Sequence, residues 1–404
     1  MSDTIVVVGA SAAGVGAALG ARDAGYTGEI ILLGAEPGLP YERPALSKAL
    51  LVPGGEPPSH IVSRETLEEN RIEFHDRTRV TELGLESGTV ITDNGDELGA
   101  TSVVLATGAR VRRIAFQNEP ASGIHYLRDL DDARDLIRTL ESSSGPIVLL
   151  GGGYIGLEVA SVAVGLQREV YVIDAGSHLL GRGGMMVIGD HLQQIHERRG
   201  VKFLLDHSVR RLHSRDTSLT AVELNDGMIL PAATLVVGIG VQPRDELAVA
   251  AGLDIDNGVR VDRFGRTSNP FVWAAGDVAN QPHPMLLKAG RIEHWQVAME
   301  HGRAVGASAA GTPTEYTAVP YFWSDQYDFS LRMFGRADAN DHVVRRESAT
   351  GHPVWFWIRQ ERLSAVASTG APREVRAAKG LIESGQRVVL EDLMDPTVDL
   401  RMLR

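Results

Sequence analysis

The feature that most constrains this chain is a pattern it contains twice. Ile5-Val6-Val7-Val8 runs into Gly9-Ala10-Ser11-Ala12-Ala13-Gly14, and Ile147-Val148-Leu149-Leu150 runs into Gly151-Gly152-Gly153-Tyr154-Ile155-Gly156. Each β-branched run is short and uncharged, as a strand buried on both faces requires. Each glycine turn opens into small and apolar residues that suit a helix, and each helix yields to a second apolar strand, at residues 30–33 and 170–173. Two such βαβ openings predict two doubly wound parallel sheets in one chain. A length of 404 residues accommodates this, being too long for a single ordinary core.

The glycines have a chemical reading. In a dinucleotide-binding turn the first permits the tight bend, the second lets the backbone approach a pyrophosphate, and the third lets helix and strand pack closely. The helix N-terminus then offers unsatisfied N–H groups and partial positive charge to the phosphates. In the first copy Gly9, Ser11 and Gly14 hold these positions, with a serine where the middle glycine stands. In the second, Gly151, Gly153 and Gly156 match throughout. Such a turn also needs an acid at the end of the following strand for the ribose hydroxyls. Glu36 lies 22 residues after Gly14 and Asp174 lies 18 after Gly156, both near the expected spacing. No arginine follows Asp174 directly, which favours NADH over NADPH. A solvated strand-end acid is the plainer reading of either residue alone.

The motif by itself is not sufficient. Gly-Ala-Ser-Ala-Ala-Gly recurs identically at 306–311, where it follows a helical pattern expected over 291–307 and reads as the small-residue end of that helix. A nucleophile elbow around Ser11 fails because its closing glycine falls on Ala13.

Composition narrows the chemistry. The chain has no cysteine, which excludes disulfides, thiolate metal sites, iron–sulfur clusters bound by this chain and any dithiol relay. A formal charge of −12 argues against general nucleic-acid binding. Residues 4–21 carry no charge, but an acidic start and four interrupting glycines or serines within Gly9 to Gly16 fit a buried strand and helix better than a leader or span, so a cytoplasmic protein is expected. The 13 histidines include no His-Glu-x-x-His, and His191 and His196 are five apart, off one helix face; nothing points to a metal. Short strands are expected over 72–108 with a turn at Asp93-Asn94-Gly95, and another over 235–239 ending in Gly240. Beyond Pro313 three of the five tryptophans sit among short alternating runs, read as a separate α+β domain.

Further motifs carry a resemblance. Thr267-Ser268-Asn269-Pro270 with Ala274-Ala275-Gly276-Asp277 resembles the second FAD motif of the two-dinucleotide flavoprotein reductases, whose NAD fold is inserted in the FAD fold. Arg43-Pro44-Ala45-Leu46-Ser47-Lys48, Tyr321-Phe322-Trp323-Ser324-Asp325-Gln326 and the second glycine turn through Glu158 resemble, within that group, the ferredoxin–NAD reductases of oxygenase systems. The similarity runs from Ile5 to near Leu403. It implies an FAD-binding domain of residues 1–110 and 241–312, an NADH-binding domain of 111–240, and a C-terminal α+β domain of 313–404 closing over the flavin. It implies FAD contacts at Ala13, Glu36, Lys48, Val80, Arg128, Asp277 and Trp295, with Arg43 near the pyrophosphate and Trp323 close to the flavin ring. Ile155, Glu158, Asp174 and Gly240 are implied as NADH contacts. Gly9, Ser11, Gly14, Ala106, Thr107, Gly108, Glu293, Gly151, Gly153, Tyr154 and Gly156 complete the cofactor-binding positions. At Ala35 some relatives carry Asp, and Glu36 beside it can serve instead.

Lys48, Glu158 and Trp323 are the catalytic candidates. Lysine is rare, four residues against 36 arginines, and an ammonium near the flavin would stabilise its reduced anionic form. An ordinary helix carboxylate is the plain alternative for Glu158, and core packing for Trp323 and Trp295. The implied activity is hydride transfer from NADH to FAD, then single-electron transfer to a small acidic ferredoxin, of 2Fe–2S type, serving a P450 or Rieske-type oxygenase. A basic rim of Lys288, Arg291, Arg332, Arg336, Arg345 and Arg346 is expected to receive it. Reduction of a rubredoxin, quinone or small radical, or a non-catalytic NADH-sensing role, are the alternatives. No nucleic acid, membrane or disulfide partner is expected.

Overall fold

A computed structural model describes residues 3–52, 54–116, 119–120, 122–181 and 183–403. The chain forms two compact units. The first comprises residues up to Glu42, Pro58–Arg110 and Gln242–Tyr321; the second comprises Arg43–Pro57, Val111–Val241 and the chain from Phe322 onward.

In the first unit a parallel sheet runs in the order Val272–Ala274, Ser102–Leu105, Thr4–Val8, Glu29–Leu33, Ile72–His75. The opening strand is central and buried along its whole length, which explains its unbroken apolar character. The helix Ala12–Asp23 follows it, and the helix Trp295–Ala309 lies against that one. Small residues set their distance. A Cβ added to Gly302 would come 2.2 Å from the Ala13 carbonyl oxygen, and one on Gly306 would come 1.9 Å from that of Ala17. The later Gly-Ala-Ser-Ala-Ala-Gly copy thus closes a helix that packs against the helix of the first copy. That helix starts at Trp295, not at 291. Arg291 is engaged instead with Glu293 at 2.7 Å and with the Asp277 carbonyl at 3.0 Å, and His294 has extended backbone as the N-cap. The 72–108 region contains the expected strands, among them Val80–Gly84, Thr89–Thr92 and Glu97–Gly99, with Gly95 at φ +86° in the turn.

In the second unit a parallel sheet runs Lys202–Leu204, Val170–Ile173, Ile147–Leu150, Thr234–Val237, Ile124–His125. The helix Tyr154–Gly165 follows its central strand. The chain ends in a five-stranded sheet ordered Tyr321–Gln326, Phe329–Gly335, Arg362–Ser368, Pro353–Arg359, His342–Glu347, with the helix Pro372–Ser384 against it. This sheet shares one core with the dinucleotide-type half: Leu157, Ile188 and Leu192 pack with Leu331, Met333, Trp355 and Trp357. Trp357 is fully buried and donates its indole N–H to the Gly184 carbonyl at 2.9 Å.

Two histidines lie inside these cores. His301 in the first unit accepts the Gly276 N–H on Nδ1 at 3.2 Å, and burial pushes its imidazole down to about 3. His196 in the second is likewise buried and pushed down to about 4. An unfolded histidine takes up its proton near pH 6.5. Between that pH and the folded values the unfolded state therefore binds more protons, so stability is fully present above about pH 6.5 and declines as pH falls. Each histidine contributes a slope of about 1.4 kcal/mol per pH unit in that window. The melting temperature should accordingly fall steadily from pH 7 to pH 5; a flat profile across that range contradicts the burial of neutral imidazoles.

Candidate functional site

The first glycine turn enters between two strands. Gly9 donates to the Leu33 carbonyl and Ala106 to that of Val8, both at 2.8 Å. Ser11 has extended backbone as the N-cap of Ala12–Asp23, its hydroxyl makes no capping bond, and the first turn carries no acid. The helix thus presents its N-terminal charge unneutralised. Gly276, at φ +74°, approaches Ala13 so closely that an added Cβ would stand 2.6 Å from the Ala13 Cβ. This joins the Asp277 motif to the first turn. Gly14 is buried under Leu32, Val80 is a core residue, and the Thr107 hydroxyl donates to the Arg244 carbonyl at 2.6 Å before Gly108. Glu36 accepts the Tyr41 hydroxyl at 2.5 Å, which fixes it at the end of its strand. Trp295 is half-buried at the start of its helix, and Glu293 is exposed, paired with Arg291.

The second turn tests the dinucleotide reading more sharply. Gly151 has φ +110°, and a Cβ there would meet the Gly238 carbonyl oxygen at 2.3 Å, so the fold itself requires this glycine. Gly156 is likewise required, by the Gly151 carbonyl oxygen 2.3 Å from its would-be Cβ. Gly153 differs: its backbone is ordinary and no described atom lies within 4 Å of a Cβ built there. Nothing among the described residues demands a glycine at this N-cap, the position where a dinucleotide-binding turn would let a pyrophosphate approach the backbone. Asp174 accepts the Gly152 N–H at 2.7 Å on one oxygen and the Gly176 N–H at 2.8 Å on the other. Its carboxylate is thereby oriented, with lone pairs left for ribose hydroxyls. Ile155 is an apolar side chain 44% exposed beside the turn, and Gly240, at φ +98°, follows the strand opposite.

One turn into the same helix, Glu158 is buried and bonded to Lys48, Nζ to Oε1 at 3.0 Å. Lys48 ends the 3₁₀ turn Arg43–Ser47 and also donates to the Pro44 carbonyl at 3.0 Å. Ser324 donates to Glu158 Oε1 at 2.6 Å and Ser47 donates to Oε2. Burial pushes the Glu158 carboxyl above the usual carboxylate range, and Lys48 with the two hydroxyls opposes that shift. Tyr154 packs against Phe322 with centroids 4.3 Å apart and the rings tilted by 43°. Trp323 is half-buried and lies on the opposite face of its strand from Phe322 and Ser324. Arg43 donates to the Arg128 carbonyl at 2.8 Å, and the Arg128 N–H goes to Asp132 at 2.9 Å.

The expected residues therefore gather into three sets. Gly9 to Gly14, Glu36, Val80, Ala106 to Gly108, Asp277, Glu293 and Trp295 belong to the first unit. Gly151 to Gly156 with Asp174 and Gly240, and Arg43, Lys48, Arg128, Glu158 and Trp323, belong to the second. The basic rim needs correction. Lys288, Arg332 and Arg345 are exposed, with Arg345 paired to Glu347, but the side chains of Arg291 and Arg346 are only 8% and 3% exposed. Arg346 is spent on the carbonyls of Asp395 and Val398. Neither can receive a partner at the surface. Sequence reasoning missed Ser47 and Ser324 as partners of Glu158; the polar 324 and 326 positions within an aromatic strand were the available signal.

Comparison with known proteins agrees with this geometry. The pyridine nucleotide-disulphide oxidoreductase family matches residues 3–302, and the reductase C-terminal family matches 321–404. The chain is 39% identical to the ferredoxin–NAD(+) reductase component of the anthranilate 1,2-dioxygenase system of Burkholderia cepacia, over 99% of both chains. The ferredoxin reductase for the CYP199A2 system of Rhodopseudomonas palustris superposes with a TM-score of 0.94 at 31% identity, covering 99% of both chains. Putidaredoxin reductase in its covalent complex with putidaredoxin gives 0.92 at 31%, covering 99% of this chain and 98% of that one.

Replacing Gly153 with Ala should leave the folded stability within about 1 kcal/mol of native, because the added methyl group meets open space. The same change should weaken dinucleotide binding about tenfold or more by blocking backbone approach to the phosphates. Unchanged affinity, measured by titration calorimetry, removes the phosphates from this turn.

Proposed function

We propose that this chain, which belongs to the pyridine nucleotide-disulphide oxidoreductase family, is an FAD-dependent NADH:ferredoxin oxidoreductase that serves an oxygenase. The observation that carries the reading is the pair of the half-buried Lys48 with the buried Glu158, one turn beyond a complete dinucleotide turn, in a chain without cysteine. Bound FAD accepts two electrons from a nicotinamide and returns them singly, which side chains alone do not do. With no thiol in the chain, electrons leave directly to a partner protein and not through a disulfide.

The chain's own residues supply binding, orientation and charge. The unneutralised N-terminus of Ala12–Asp23 holds the FAD pyrophosphate, with Glu36 at the ribose and Asp277 toward the ribityl chain. Arg43 and Arg128 add positive charge, and Trp295 and Trp323 contribute aromatic surface to the flavin. The turn at Gly151–Gly156 holds the NADH pyrophosphate, Asp174 its adenosine ribose, and Ile155 and Gly240 its flanks. Glu158 accepts from the carboxamide of the nicotinamide, and the Lys48 ammonium stabilises negative charge that develops on the flavin. Residues 1–110 and 241–312 form the FAD domain, 111–240 the NADH domain and 313–404 the C-terminal domain. The partner is an acidic 2Fe–2S ferredoxin of the cytoplasm, received through the exposed Lys288, Arg332 and Arg345 with the half-buried Arg336, and its oxygenase is of P450 or Rieske type.

An anaerobic titration of the yellow holoprotein with NADH tests this. Bleaching at about one equivalent of NADH per FAD, with NADPH far less effective, is expected. Subsequent addition of an oxidised 2Fe–2S ferredoxin should restore the yellow colour. A yellow protein indifferent to NADH overturns the reading; one that bleaches but reoxidises only with a quinone moves it to the small-molecule reductases.

A further inference from the structure

The ion pair is the end of a longer buried chain of hydrogen bonds. Gln326 Nε2 donates to Ser324 Oγ at 3.0 Å, His196 Nε2 is 2.8 Å from Gln326 Oε1, and the Tyr327 hydroxyl is 2.8 Å from His196 Nδ1. Ser324, Gln326 and His196 are each no more than 1% exposed. Beyond Tyr327 the path reaches the surface, where Arg199 lies over the tyrosine ring at 4.4 Å and pairs with Asp328 at 2.7 Å.

One charge assigns every proton in this path. With Glu158 ionised beside Lys48, the Ser324 hydroxyl spends its single proton on Oε1 and can only accept from Gln326. Gln326 must then present its NH₂ to Ser324 and its oxygen to His196. His196 therefore carries its proton on Nε2, its Nδ1 accepts, and the Tyr327 hydroxyl donates. All four donors point toward the carboxylate. The amide at the centre cannot pass a proton onward, so the path orients and does not conduct. Backbone conformation agrees: Tyr327 sits at φ +48° in the turn between two strands, a left-handed position that disfavours an aromatic residue. The tyrosine at this position delivers its hydroxyl to His196.

We propose that Ser324, Gln326, His196 and Tyr327 are positioning residues, a one-directional hydrogen-bond relay that holds Glu158 ionised and correctly rotated for the nicotinamide end of NADH. The inference rests on the reading that Glu158 faces the nicotinamide. Oε1 is saturated by Lys48 and Ser324, whereas Oε2 takes only the Ser47 hydroxyl among the described contacts and keeps capacity for one incoming N–H. The relay fixes which oxygen that is.

The test compares Gln326→Met and Tyr327→Phe with His191→Gln. His191 lies on the same helix as His196 and bonds Thr369 at 3.1 Å, outside the relay. For each holoprotein the NADH dissociation constant is measured from pH 5 to 9, together with the melting temperature. Lys48 is the charged group at Glu158, with Ser47 and Ser324 as its hydroxyl partners; Arg199 is the charged group beside His196 and Tyr327. Native affinity should weaken in acid as Glu158 protonates. Gln326→Met should weaken NADH binding about fivefold to tenfold at pH 7 and move the acid limb to higher pH, with Tyr327→Phe doing the same to a smaller extent. His191→Gln should lower the melting temperature and leave the limb in place. If both relay variants lose only thermal stability and keep the native limb, the relay is structural and the proposal fails. A Glu158→Gln protein that binds NADH as native does, with no acid limb, places the failure one step earlier, in the assignment of Glu158 itself.

Discussion

Setting a half-buried lysine against a buried glutamate is costly, and the groups gathered around them offset that cost. Each ion loses several kcal/mol of hydration, and the attraction between them repays this only when the remaining lone pairs and protons are satisfied. Here Lys48 is shared between Glu158 and the Pro44 carbonyl, and the carboxylate collects the hydroxyls of Ser47 and Ser324 as well. Those five groups come from a 3₁₀ turn and the residue that follows it, a helix and a strand. The pair therefore depends on the glycine turn that launches the helix, on the parallel sheet that seats the turn, and on the C-terminal sheet that supplies Ser324. Loss of any one partner leaves a charge or a hydroxyl buried without compensation.

The two dinucleotide-type halves solve the same problem with different tolerances. The second has glycine at all three turn positions, and at Gly153 no described atom lies within 4 Å of an added Cβ. The first carries Ser11 at that position and closes its site from the other side, where the helix Trp295–Ala309 and the Gly276–Asp277 turn press on Ala13 through contacts that only glycine permits. His301 ties these pieces together by accepting the Gly276 N–H.

The parts of this arrangement governed by local pattern were legible in the sequence. Strand runs buried on both faces, the glycine turns, the acids 22 and 18 residues beyond them and the helical context of the second Gly-Ala-Ser-Ala-Ala-Gly copy follow from spacing alone. The pairing of Glu158 with Lys48 was foreseen, but its hydroxyl partners and the bonds beyond them were not, because they join residues 111, 166 and 130 positions apart and no periodicity connects them. His196 was separated correctly from His191 by its helical phase, but its partner Gln326 belongs to the last sheet. Arg291 and Arg346 read as surface cations because arginine usually is one. Burial came from carbonyl groups presented by distant turns, at Asp277 and at Asp395 and Val398. The start of the helix at Trp295 was displaced for the same reason.

The central claim is that Lys48 and Glu158 act as one unit in hydride uptake. A double-mutant cycle on the rate of NADH-driven flavin reduction tests it most directly, using Lys48→Met, Glu158→Gln and both together in stopped flow. Each single change should slow reduction by about tenfold or more, and the double variant should be no slower than the worse single one, because either change already dissolves the pair. If the two losses multiply, the residues act independently, and the buried pair is not what the site is built around.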